Sequence, residues 1–121
     1  MSETRAIEFR ETIDYVHVVN DRLLDIARKR AELDYSTKIS FEKTVQKYYL
    51  AANSLHIIML PGLRGKSGEL LSLARKLIAE NKFIEAVRKV DEAVEEMIKN
   101  LYDVGLLIRE ERLRVGVVKK I

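Results

Sequence analysis

The chain has 121 residues, 22 basic and 19 acidic, for a net charge of +3 and a pI of about 9.2. That length buries a core without staples, and the absence of cysteine excludes a disulfide frame, a thiolate zinc site and a cysteine nucleophile. The basic excess permits nucleic-acid contact without arguing for it.

One proline and five glycines leave little punctuation for strands and hairpins, so the chain reads as all-α. The first helix spans about 3–33, with Ala6, Phe9, Ile13, Val16, Asn20, Leu23 and Ala27 stepping by three and four. A second row, Val19, Ile26 and Leu33, widens its apolar face. Ser40 then precedes a helix over about 41–60, whose stripe is Phe41, Val45, Tyr48, Ala52, Leu55 and Met59. Its last residues, LHIIML, are apolar all round, which predicts that this end lies deepest.

Pro61 and Gly62 end that helix, Gly65 turns the chain, and Ser67 caps a third helix over about 68–80 with Leu70, Leu73, Ala74 and Leu77 inward. A short turn at Asn81-Lys82 leads to the fourth helix, about 83–114. Its stripe is the most regular in the chain: Phe83, Val87, Val90, Val94, Met97, Leu101, Val104 and Ile108. The expected architecture is an antiparallel four-helix bundle over 1–114 with a tail at 115–121. Its first and last helices are the long pair, projecting beyond the other two.

A projecting apolar stripe has no partner within one chain, which predicts a homo-oligomer, a dimer first of all. Asn20 at a seam position, together with Val94, Met97, Leu101, Val104 and Ile108, is the interface this implies.

Gly65-Lys66-Ser67 copies the end of a phosphate-binding loop. The nearest earlier glycine, Gly62, is too close for a loop that cradles phosphate, and no strand–helix pair surrounds it. What remains is a weak anion site of Arg64, Lys66 and Ser67 at a helix start. Basic residues also gather at Arg28, Lys29, Arg30, Lys38, Lys43 and Lys47, with Tyr35 and Tyr48 near enough to stack on bases. They outline a nucleic-acid face, although the first three also suit a helix C-terminus.

Arg10, Asp14 and His17 share one helix face, the weakest of catalytic candidates. Their arginine-to-histidine spacing resembles the loose motif of the HEPN ribonucleases, small helical bundles that often dimerise. The resemblance implies a catalytic Arg10 and His17. The family, however, places its motif late in the chain at a helix start, whereas these residues fall mid-helix near the N-terminus. The segment LARKLIAENKFIEAVRKVDEAVEEMI looks like the HEPN helical hairpin. It is equally similar to a tetratricopeptide hairpin through Asn81, Phe83, Ala86 and Ala93, although no second copy is present.

A carboxylate-bridged metal bundle needs Glu-x-x-His twice, and only Asp14-x-x-His17 and Asn53-x-x-His56 occur. No metal or cofactor is expected. Asp91, Glu92, Glu95 and Glu96 read as a solvated acidic face paired with Arg88, Lys89 and Lys99.

No apolar run approaches the 20 or so residues of a membrane span, and the charged opening MSETRAIEFRETIDY is unlike a secretory leader. A cytoplasmic location follows as the expectation. Charged residues at 34% with one glutamine are the bias of a thermophile. The reading is of a non-enzymatic, self-associating helical interaction module. The alternative is a small basic RNA- or DNA-binding subunit with HEPN-like nuclease activity.

Overall fold

The described residues hold four α-helices, a short 3-10 turn at Pro61–Leu63 and no strand: α1 (Glu3–Lys29), α2 (Tyr35–Ile58), α3 (Ser67–Ala79) and α4 (Phe83–Asp103). The structure is a computed structural model that describes residues 3–29 and 35–107, with side chains over 8–26 and 38–107. α1 packs on α2 and α3 on α4, while α2 also packs against α3 and α4, so α2 is the central member of the bundle. Arg28, Lys29, Arg30, Ile108 and the tail at 115–121 lie outside the side chains described.

The stripes explain the packing. Phe9, Ile13, Val16, Val19 and Leu23 of α1, the six stripe residues of α2, and Val87, Val90, Val94, Met97 and Leu101 of α4 form one buried cluster. Ala51, Ala86 and Ala93 are buried beside them, and such small side chains let helices approach closely. On α3 the inward position belongs to Leu71 and Ala74, while Leu73 is 48% exposed, against the expected pattern. α3 turns one side toward α4 and α2, and Leu73 falls beyond the edge of that side.

The helix lengths differ from those read in the sequence. The long pair is α1, with 27 residues, and α2, with 24, whereas α4 has 21. Two local causes account for this. Ser40 does not cap α2 but lies inside it, its carbonyl accepting the Thr44 hydroxyl at 2.7 Å. At the other end Gly105, with φ 78°, turns the chain after Asp103. The Gly105 N–H donates to Tyr102 O at 3.0 Å and the Leu106 N–H to Leu101 O at 2.9 Å, the paired bonds of a glycine-terminated helix.

Asn81 does the same for α3. It takes φ 62°, its N–H donates to Ile78 O and the Lys82 N–H to Leu77 O, which closes the short turn into α4. Asn100, late in α4, reaches the backbone just ahead of α3, so these two helices run antiparallel.

The fourth-helix stripe therefore finds its partners inside one chain. Asn20, Val94, Met97 and Leu101 are buried there and are not available as an oligomer surface. Of that set only Val104, in the turn after α4, is exposed among the described residues.

Candidate functional site

Residues 60–67, LPGLRGKS, form a connection tied down by hydrogen bonds to α2 and α4. The last carbonyls of a helix lack intrahelical donors, and Arg64 supplies them. Its Nε donates to His56 O at 2.9 Å and its Nη2 to Ile57 O at 3.2 Å, a basic group at the negative end of α2. Gly65 takes φ 57°, and a Cβ there would lie 2.7 Å from a Glu96 carboxylate oxygen.

Glu96 accepts the Lys66 N–H at 2.9 Å, and one helical turn further on the Asn100 amide donates to Leu63 O at 2.8 Å. The fully buried Ser67 hydroxyl lies 2.8 Å from His56 Nδ1, so it joins α2 to α3 rather than capping its own helix. Arg64, Lys66 and Ser67 are thus close in space, but each has an internal task. The carboxylate of Glu96 holds the backbone N–H that an external anion would need. Burial, then the Arg64 charge, lowers the His56 pKa, which keeps the imidazole neutral.

A second polar cluster crosses the core. The Tyr48 hydroxyl, fully buried, donates to Asp91 Oδ1 at 2.5 Å and accepts from Asn20 Nδ2 at 3.4 Å. The chain Asn20–Tyr48–Asp91 links α1, α2 and α4. Asn20 Oδ1 is buried and has no hydrogen-bond partner. Burial first, then the charges of Glu95 and Glu92, push the Asp91 carboxyl up to about 7 against the opposing Tyr48 bond. The Tyr48 hydroxyl is pushed up by its own burial and by Asp91.

Two sequence expectations change here. Tyr48 cannot stack on a nucleic-acid base from inside the core. Asp91 is not part of a solvated face, because it sits at the flank of α4 that meets Tyr48. Sequence periodicity missed it for a simple reason: an aspartate beside an apolar stripe reads as surface, and its partner lies 43 positions away.

The remaining candidates are dispersed. Arg10 and Asp14 form an exposed salt bridge of 3.7 Å on α1. His17 is half-buried with Nε2 closed off from solvent, which is poor access for an imidazole that must exchange protons with a substrate. Lys43 and Lys47 lie one turn apart on the exposed side of α2. Lys38, five positions before Lys43, is rotated about 140° from it and lines an open cleft of about 540 Å³. Phe41, Glu42, Phe83 and Glu85 share that cleft, so its charges are mixed. Among the described residues no group of three or more acidic or histidine side chains is placed to hold a metal ion.

The outer face of α2 is a different surface. From Tyr48 to Leu63 the sequence contains no Asp, Glu, Lys or Arg, in a chain that is 34% charged. Leu50 and Ile57, two turns apart, are 59% and 63% exposed, and Leu60 beyond the helix is 52% exposed. LHIIML is therefore not the deepest part of the fold. Leu55 and Met59 point inward, while Ile57 and Leu60 face out. Between the exposed residues, Ser54 turns its hydroxyl back to Leu50 O at 3.0 Å, which leaves the strip with little polar character. The exposed Tyr15 and Val18 of α1 lack this continuity, being interspersed with the exposed Glu11, Asp14, Arg22 and Asp25. The charge-free run is the signal that reading the inward stripes passed over.

These features define an all-α bundle with a central second helix, a buried polar chain and an outer surface that is uncharged over 48–63. No described helix is long and apolar enough to cross a membrane. Comparison with family models, curated proteins and solved structures found no match to this chain.

Proposed function

We propose that the protein is a non-enzymatic helical interaction module, residing in the cytoplasm, that self-associates through the outer face of α2. The observation that carries this reading is the exposure of Leu50, Ile57 and Leu60 within the charge-free run 48–63. Interface cores are depleted in charged residues, and an uncharged apolar strip is best matched by another of its kind. A second copy brings an identical strip with no charge left unpaired on either side.

Magnitudes set the strength. Fully burying a Leu or Ile contributes about 1.5–3 kcal/mol, so three half-exposed side chains contribute about 2.5–5 kcal/mol per copy and about 5–10 for a pair. Association costs about 4 kcal/mol or more in lost freedom. The upper end of that range leaves about 4–6 kcal/mol, a weak pairing that shows at high micromolar to millimolar concentration. Light scattering across that range should give a rising mass for the wild type and a constant monomer mass for Ile57→Lys. A constant monomer mass for both removes this reading.

Contact with RNA or DNA is the second reading, favoured by Lys43 and Lys47 exposed one turn apart on α2. It requires affinity that falls steeply with salt and weakens in Lys43→Glu. Nuclease activity through Arg10 and His17 would in addition be abolished by His17→Ala. Undetectable binding at low salt rejects this reading.

A further inference from the structure

Asn20, Tyr48 and Asp91 form a hydrogen-bonded chain across three helices. Both ends of the chain can reverse their hydrogen-bonding roles. A carboxylate only accepts, but a carboxylic acid donates; an amide offers an oxygen on one side and an N–H on the other. Tyr48 in the middle has one proton to give and a lone pair to receive with.

With Asp91 ionised, the direction is fixed. The Tyr48 proton goes to Asp91 Oδ1, Asn20 Nδ2 donates to the Tyr48 oxygen, and Asn20 Oδ1 is left buried without a donor. With Asp91 protonated, the carboxylic acid donates to the Tyr48 oxygen. The Tyr48 proton is released toward Asn20, whose amide turns to present Oδ1. Asn20 Oδ1 then gains a donor in exchange for the bond that Nδ2 made, and the buried charge is gone.

We propose that the Asn20–Tyr48–Asp91 chain is a proton-operated switch: one proton taken up at Asp91 reverses both hydrogen bonds and tightens the seat of α1 and α4 on α2. The groups bearing on Asp91 act in one direction. On its own helix Glu95 and Glu92 are carboxylates, α2 offers the Tyr48 hydroxyl, and α1 offers the neutral Asn20 through it. Burial and these two charges favour the protonated form, which brings the titration near neutrality, to about 7 against an ordinary 3.8. A raised acid pKa in the fold means that the native state holds a proton the unfolded chain has released. Its stabilising effect is complete below about pH 3.8 and is lost as pH rises to about 7.

The test has two arms. In the wild type, the side-chain carboxyl signal of Asp91 is followed by NMR from pH 3 to 9. It should titrate near neutrality, and the Asn20 side-chain amide signals should shift with the same midpoint. The second arm compares urea unfolding of the wild type and Asp91→Asn at several pH values. An amide at 91 takes up no proton, so whichever direction it holds does not change with pH. The ratio of the wild-type unfolding constant to that of the variant should rise by up to about tenfold per pH unit between pH 4 and 7. If Asp91→Asn does not fold, the NMR arm decides alone. An Asp91 signal titrating near 4, or Asn20 amides indifferent to pH, overturns the proposal.

Discussion

Two polar clusters hold this bundle together, and they differ in what they leave unfinished. Around the α2–α3 connection, Arg64, Glu96, Asn100, His56 and Ser67 pair backbone with side chain until the groups that matter are satisfied. Across the core, the Asn20–Tyr48–Asp91 chain keeps one acceptor orphaned and one carboxyl buried. Buried polar groups cost little when paired and much when not. The first cluster therefore fixes a chain reversal, while the second carries a tension that a proton can relieve. The clusters also respond to pH with opposite signs. His56, whose pKa is lowered, contributes stability that is present above its ordinary 6.5 and lost as pH falls below it. Asp91 contributes below neutrality and loses its effect above it.

The difference can be broken or sharpened by substitution. Tyr48→Phe removes the middle of the core chain and strands both ends. It should cost about 3 kcal/mol in urea unfolding at pH 8, where Asp91 is charged, and less at pH 5. It should also raise the Asp91 titration midpoint, since the lost bond was the one favouring the charged form. Gly65→Ala attacks the other cluster through backbone strain at φ 57° and the clash with Glu96. About 2 kcal/mol is expected, with little dependence on pH from 5 to 8.

Asn100→Ala, which leaves Leu63 O without its donor, should cost about 1 kcal/mol by the same measurement. Arg10→Ala breaks only the exposed bridge to Asp14 on α1. Its effect should stay within about 0.5 kcal/mol. If Asn100→Ala proves costlier than Tyr48→Phe at pH 8, the contrast between the clusters is wrong.

How much of this was legible in the sequence depends on the range of the interaction. The stripe of α2, and that of α4 from Val87 to Leu101, name their buried residues correctly, since a helix face is set by spacing of three and four. The turn at Asn81 was legible too, from local residue types. The start of α2 and the end of α4 were not: Gly105 interrupts a stripe that continues through Ile108, and the apolar period alone carries the eye past it. Ser67 looked like a cap because serine before a helix usually is one, yet His56 claims its hydroxyl from another helix. The partnership of Tyr48 with Asp91 joins two helices and leaves no periodic trace. The outer strip of α2 did leave one, as a missing pattern of charge rather than a repeating pattern of apolar residues.

The claim that the outer face of α2 is where this protein meets its partner can be read most directly from amide NMR spectra recorded over rising protein concentration. The signals of Leu50, Ser54, Ile57 and Leu60 should move together, while those of Glu11, Arg22 and Leu73 stay fixed. Spectra that do not change up to the millimolar range, or shifts centred on Val104 and Leu106 instead, would contradict it.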